Sequence, residues 1–118
     1  MNIFIGLCIG AVSGVIAALC GVGGGIIMVP AFVMLLGLDQ KTAVATSLAA
    51  IILTALAATA RNQMNDLIDW KIVIPSALAG AIVAWFAADF LKALSNQMLT
   101  KGFAILLIAV GVRMLWQK

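Results

Sequence analysis

The chain contains no histidine, no tyrosine and no glutamate, and only 9% of its 118 residues are charged. Asp39, Asp66, Asp69 and Asp89 are its only acids. Acid–base, nucleophilic and metal chemistry need clustered imidazoles, thiols or carboxylates, and no such cluster is spelled here. The chain therefore reads as non-enzymatic, with no metal site and no cofactor. Its basic residues, Lys41, Arg61, Lys71, Lys92, Lys101, Arg113 and Lys118, are isolated and stand at the ends of apolar segments. A net charge of +3 spread in that way gives no stripe for nucleic acid. It is the placement expected of membrane anchors. The opening Met1-Asn2-Ile3-Phe4 also lacks the basic region of a secretory signal.

What the chain has in abundance is apolar surface: 65% hydrophobic residues and a mean hydropathy of +1.24. A soluble domain of this length needs far more polar covering. The expected architecture is all-α and polytopic, a single transmembrane domain over residues 1–118 with lipid around it. Polar residues divide it into Ile3–Leu19, Ile26–Leu38, Thr42–Ala60, Ile72–Phe90 and Leu99–Trp116. The last three are long enough to cross a hydrocarbon core of about 30 Å at about 1.5 Å per residue. The second, at roughly 20 Å, is too short, so four and five crossings are both open. The short Asp39-Gln40-Lys41 turn makes the second and third segments antiparallel neighbours. Arg61–Lys71, the most polar stretch, reads as an interfacial loop. Trp70 and Trp116 suit the headgroup belt.

One run stands against the helical pattern: Gly21-Val22-Gly23-Gly24-Gly25, with Pro30 five residues beyond. Glycine costs about 1 kcal/mol against alanine in a helix interior. Interrupted backbone at membrane depth must be buried in protein or face a watery cavity, and transporters use such broken helices to aim amides at a solute. A glycine-broken N-terminal helix in a membrane transport protein is the leading reading. Gly6, Gly10 and Gly14, continuing to Ala18, form a small-residue stripe, with a weaker one at Gly80, Ala84 and Ala88; both read as helix contact faces, within one chain or between chains. Cys8 and Cys20 read as small buried packing residues. Assigning loops to alternating sides puts Lys41, Lys92 and Lys101 opposite Arg61, Lys71, Arg113 and Lys118. That weak bias leaves insertion in both orientations open.

The segment Gly21-Val22-Gly23-Gly24-Gly25-Ile26-Ile27-Met28-Val29-Pro30, followed by Ala43-Val44-Ala45-Thr46-Ser47-Leu48, resembles the TauE/SafE sulfite exporter family, also called the toluene sulfonate uptake permease family. Asp69-Trp70 ahead of the fourth segment agrees with it. Members are typically about twice as long, with two homologous halves. The resemblance therefore implies one half of a two-repeat transporter, completed as a homodimer or as a heterodimer with a homologous half. It implies a small anionic solute, with sulfite, thiosulfate and organosulfonates among the family's substrates. The expected location is the cell's inner (plasma) membrane, multi-pass. The histidine and glycine found after the third segment in many relatives are replaced by Arg61-Asn62-Gln63-Met64-Asn65-Asp66, so no imidazole can carry a proton.

Gly21, Gly23, Gly24, Gly25 and Ile26 are candidates to hold the anion through backbone amides at a helix start, with Pro30 closing the short element. Thr46 and Ser47 are candidate hydroxyl ligands or, alternatively, hydrogen-bond their own helix. Thr54 and Thr59 read as bonded to their own helix. Arg61 reads as an interfacial anchor or, more sharply, as an electrostatic gate. Two rival functions remain: a small dimeric ion channel, which would need a continuous polar path, and an accessory membrane subunit without transport, which would need no cavity at the glycine break.

Overall fold

A computed structural model describes residues 2–117, in which five helices follow one another without a strand: α1 (Asn2–Cys20), α2 (Gly25–Leu36), α3 (Gln40–Met64), α4 (Trp70–Ala93) and α5 (Asn96–Trp116). Lys118, expected to be a terminal anchor, lies outside the described residues. α1, α3, α4 and α5 are each long and apolar enough to cross a membrane, whereas α2, at 12 residues, is not.

The glycine run interrupts the helix as its composition requires. Gly21, Gly23 and Gly24 all have positive φ, at 70°, 70° and 77°. That region costs other L-residues roughly 1–2 kcal/mol. The chain reverses there and α2 runs back along α1, with Cys8, Ile9 and Val12 facing Ile27, Ala31 and Leu35 across a shared apolar crevice. Gly37, at φ 66°, ends α2 by donating its N–H to the Phe32 carbonyl. Pro30 lies inside α2 and does not end it. It only deprives the Ile26 carbonyl of its usual i+4 donor, and the helix goes on to Leu36.

Three helices make the core. Ile9 from α1, Met28, Val29 and Phe32 from α2, and Ala43 from α3 are buried together. Lipid is as apolar as these side chains, so close packing, rather than exclusion from water, holds the cluster in a membrane. The face that α1 turns inward is Ile9, Ser13 and Ala17. The glycine stripe beside it is not used within the chain: Cβ atoms at Gly6, Gly10 and Gly14 would meet nothing within 4 Å, and the same holds at Gly80. The reading of Cys8 and Cys20 as buried is corrected too. Both are free and exposed: the buried stripe of α1 is Ile9, Ser13 and Ala17, Cys8 borders the open crevice beside it, and Cys20 is the last residue of the helix.

α3 is longer than its apolar stretch. Arg61, Asn62, Gln63 and Met64, expected to begin a loop, continue the helix. Arginine, glutamine and methionine are good helix formers, and nothing breaks the pattern until Asn65 and Asp66, the latter at φ 55°. The loop is then short, and the Trp70 indole N–H ties it down by donating to Gln63 Oε1 at 2.6 Å. α4 touches the rest of the chain little: every residue along it except Leu91, which is half-buried, is exposed. Its C-terminal end is held by Lys41 Nζ, which donates to the Lys92 carbonyl at 3.3 Å, a cation at the negative end of a helix dipole. Lys41 and Lys92 thus stand on the same side, as the alternating assignment of loops expects.

Asp39 starts α3 by accepting the Thr42 hydroxyl at 2.6 Å and the Thr42 N–H at 3.3 Å. These bonds, the hydroxyl first, hold its carboxyl below the ordinary value. A lowered folded pKa means the cap acts fully above the ordinary carboxylate range and is lost as pH falls through the folded value. Hydrogen exchange of the first turn of α3, corrected for intrinsic rates, should be slow at neutral pH and quicken only in acid. Asp39→Ala should make it fast throughout. A first turn that exchanges alike in both proteins would show that the cap does not hold it.

Candidate functional site

A cavity of about 570 Å³ lies between the start of α2, the N-terminal half of α3 and the N-terminal half of α5. Its wall is mostly apolar: Val22, Ile26, Val29, Val44, Leu48, Ile51, Leu94 just after α4, and a face of α5 running from Met98 to Leu106. Three sources of polarity interrupt it. One is the start of α2 at Gly25 and Ile26; the others are Ser47 and Gln40.

The amides are the least committed of these groups. A helix leaves its first N–H groups without internal partners, and Gly24, at the cap position, supplies no side chain to take them. The bonds at the break run from Gly21 N–H to the Ala17 carbonyl, and from Ile27 and Met28 N–H to the Gly24 carbonyl, at 2.9, 3.1 and 2.9 Å. None of them uses the N–H of Gly25 or Ile26. The Ser47 hydroxyl, by contrast, donates to the Val44 carbonyl at 2.8 Å. Gln40 is buried, and no fully enclosed side-chain nitrogen or oxygen among the described residues goes unpartnered.

The eight positions singled out from sequence do not form one cluster. Gly25, Ile26 and Ser47 line the main cavity. Gly21 and Gly23 line a separate pocket of about 170 Å³ on the other side of the break, with Ala17 and Ala18 from α1 and Thr54, Thr59 and Asn62 from α3. Gly24 is buried and lines neither; a Cβ there would lie 3.1 Å from the Ser13 carbonyl oxygen. Pro30 borders a third, apolar space of about 210 Å³ beside α5. Thr46 is exposed, about 100° round α3 from Ser47, and faces none of these spaces. Arg61 is exposed in the last turn of α3 and borders none of them either. Thr54 donates to the Ile51 carbonyl at 3.1 Å, the expected bond to its own helix.

Gln40 and Ile51 were missed from sequence. Gln40 sits in a three-residue turn, where a polar side chain attracts no notice, yet it opens α3 and faces inward. The signal lies in the spacing. Gln40, Val44, Ser47 and Ile51 follow one another at intervals of four, three and four, with Leu48 four residues after Val44, which is one face of a helix.

A polytopic bundle with a half-length helix that starts from a glycine loop beside a cavity defines a helical membrane protein. The comparisons agree. A family model described as "Sulfite exporter TauE/SafE" matches residues 5–118, and the chain belongs to that family. It is 32% identical over 117 residues to the "Probable membrane transporter protein YunE" of Bacillus subtilis, covering 96% of this chain and 41% of that relative. A "Probable membrane transporter protein" of Haemophilus influenzae is 32% identical over 123 residues, covering 97% and 47% respectively. One from Xylella fastidiosa is 27% identical over 109 residues, covering 89% and 41%. The chain thus spans less than half the length of the curated relatives it matches. No solved structure matches it.

Proposed function

We propose that this chain is one half of a transporter for a small anion, a sulfur-containing one such as sulfite, thiosulfate or an organosulfonate, acting in the cell's inner membrane beside a second copy or a homologous half. The observation that carries the reading is the start of α2. Gly25 and Ile26 line a cavity of about 570 Å³, and their amides take part in none of the hydrogen bonds at the break. An anion leaving water must regain hydrogen bonds, and a helix N-terminus supplies both donors and a favourable dipole end. No charged side chain lines this space. The anion would then be held by backbone and dipole, which suits weak, reversible capture. The cavity is open along its side, and α4 is nearly bare of contacts, so a homologous half has room to complete the enclosure. The relatives being more than twice as long supports the same view.

Purified protein in liposomes should take up labelled sulfite or thiosulfate with saturation, and competing sulfonates should inhibit. Uptake should appear only in preparations where cross-linking traps a dimer or a complex with a homologous half. Flux that grows linearly with concentration would indicate a channel. If folded, assembled protein moves none of sulfite, thiosulfate, sulfonates or carboxylates, the anion reading fails.

A further inference from the structure

The inward face of α3 does not stop at the main cavity. Gln40, Val44, Ser47, Leu48 and Ile51 line the large space, while Thr54, Ala55, Ala58, Thr59 and Asn62 line the small pocket on the far side of the glycine break. All ten lie within one face of α3 at about 100° per residue. The two spaces are consecutive stretches of one stripe, and Ile51, near the middle of the helix, stands where they meet.

The glycine loop presses on α3 at that point. A Cβ at Gly23, a wall of the small pocket, would lie 3.3 Å from Ile51 Cγ2, and one at Gly25, a wall of the large cavity, would lie 3.1 Å from Ile51 Cδ1. One branched side chain therefore touches the backbone bordering both spaces. The groups on its two sides are polar: Gln40, Ser47 and the α2 amides on one, Thr54, Thr59 and Asn62 on the other. Between Ser47 and Thr54 the stripe has only hydrocarbon, Leu48 and then Ile51, and of these Ile51 is the one that meets the glycine loop.

We infer that Ile51, closing against Gly23 and Gly25, is the constriction dividing a single solute path into two compartments that open toward opposite membrane faces. The inference rests on the transport reading for its purpose, but the barrier is a property of the chain alone. Glycine at positions 23 and 25 then has a specific use: it lets the isoleucine seat directly on backbone, and a small movement of α2 against α3 breaks the seal. An apolar constriction of this kind blocks ions by excluding water. The small pocket becomes the second station of the path, with hydroxyl and carboxamide groups suited to a partly hydrated anion.

The test uses thiol accessibility in intact membranes and needs no substrate. In full-length protein with Cys8 and Cys20 replaced by alanine, single Ser47→Cys and Thr54→Cys variants are treated with a membrane-impermeant thiol reagent from one side. With Ile51 present, each cysteine should react only in molecules that present its compartment to the reagent, so the two labelled fractions should be complementary and sum to one whatever the mixture of orientations. Adding Ile51→Ala should raise both fractions toward completion, with at least about a tenfold faster reaction from the formerly closed side, and Ile51→Leu should restore the closed pattern. Fractions unchanged by Ile51→Ala, fractions summing to well above one with Ile51 intact, or no labelling of either cysteine would each overturn the assignment. Absent anion flux in liposomes would refute the transport reading and leave this result standing.

Discussion

Gly24→Leu should leave little folded protein, whereas Gly21→Leu should leave most of it. Both residues hold positive φ, 77° and 70°, so both substitutions incur the left-handed strain of about 1–2 kcal/mol. The difference is what the new side chain meets. At Gly21 a Cβ finds nothing within 4 Å. At Gly24 it finds the Ser13 carbonyl oxygen at 3.1 Å and Ser13 Cβ at 3.4 Å. That neighbour cannot retreat: Ser13 is wholly buried, and its hydroxyl is bonded back to the Ile9 carbonyl. Forcing α1 and α2 apart adds an overpacking cost of about 1–3 kcal/mol, and the core cluster of Ile9, Met28, Val29 and Phe32 spans that same contact. Thermal unfolding in detergent should therefore show a much lower midpoint for Gly24→Leu than for Gly21→Leu. Equal midpoints would mean that the tight approach to Ser13 does not hold the hairpin together. Loss of transport in Gly24→Leu would accordingly report on the fold, and the solute site must be probed elsewhere in the loop.

How far the sequence foretells this arrangement depends on which physical signal each feature carries. The five helices are readable because apolar runs and polar punctuation are long-range signals, and the break at residues 21–24 is readable because several clustered glycines have few other uses in lipid. The end of α3 is misread because polarity and helix breaking are different properties: Arg61 through Met64 are polar or flexible yet helix-compatible. Burial is harder still. Leucine, alanine and glycine suit lipid and protein interior alike, so composition does not say which stripe of α1 faces inward. The stripe that packs, Ile9, Ser13 and Ala17, is less conspicuous than Gly6, Gly10 and Gly14. Within the candidate site, Ser47 and Thr46 are adjacent in sequence but face different ways, because about 100° of rotation separates neighbouring helix positions. Only the helical phase, fixed by Ala43 and Gln40 packing inward, tells them apart. Ile51 carries no signal as a residue type; its place follows from two glycines on another helix.

Gly25→Leu should abolish transport while leaving the fold as stable as before. Gly25 opens α2 and has no positive φ among the glycines that do, so a side chain is tolerated by the backbone. In a helix even a first-turn replacement of glycine recovers part of about 1 kcal/mol of intrinsic propensity. The one close neighbour of a new Cβ is Ile51 Cδ1 at 3.1 Å, the free end of a side chain that can turn aside. These two small effects oppose each other, and the melting midpoint should barely move. Function has no such compensation. The leucine branches would enter the cavity in front of the Gly25 and Ile26 amides, replacing the donors an anion needs with hydrocarbon. An unpaired anion at that depth loses several kcal/mol of solvation it cannot regain, so uptake should fall to that of protein-free liposomes. Gly25→Ala, reaching less far, should give an intermediate rate with a raised KM. Folded Gly25→Leu protein that transports at the normal rate would show that the amides at the start of α2 do not hold the solute.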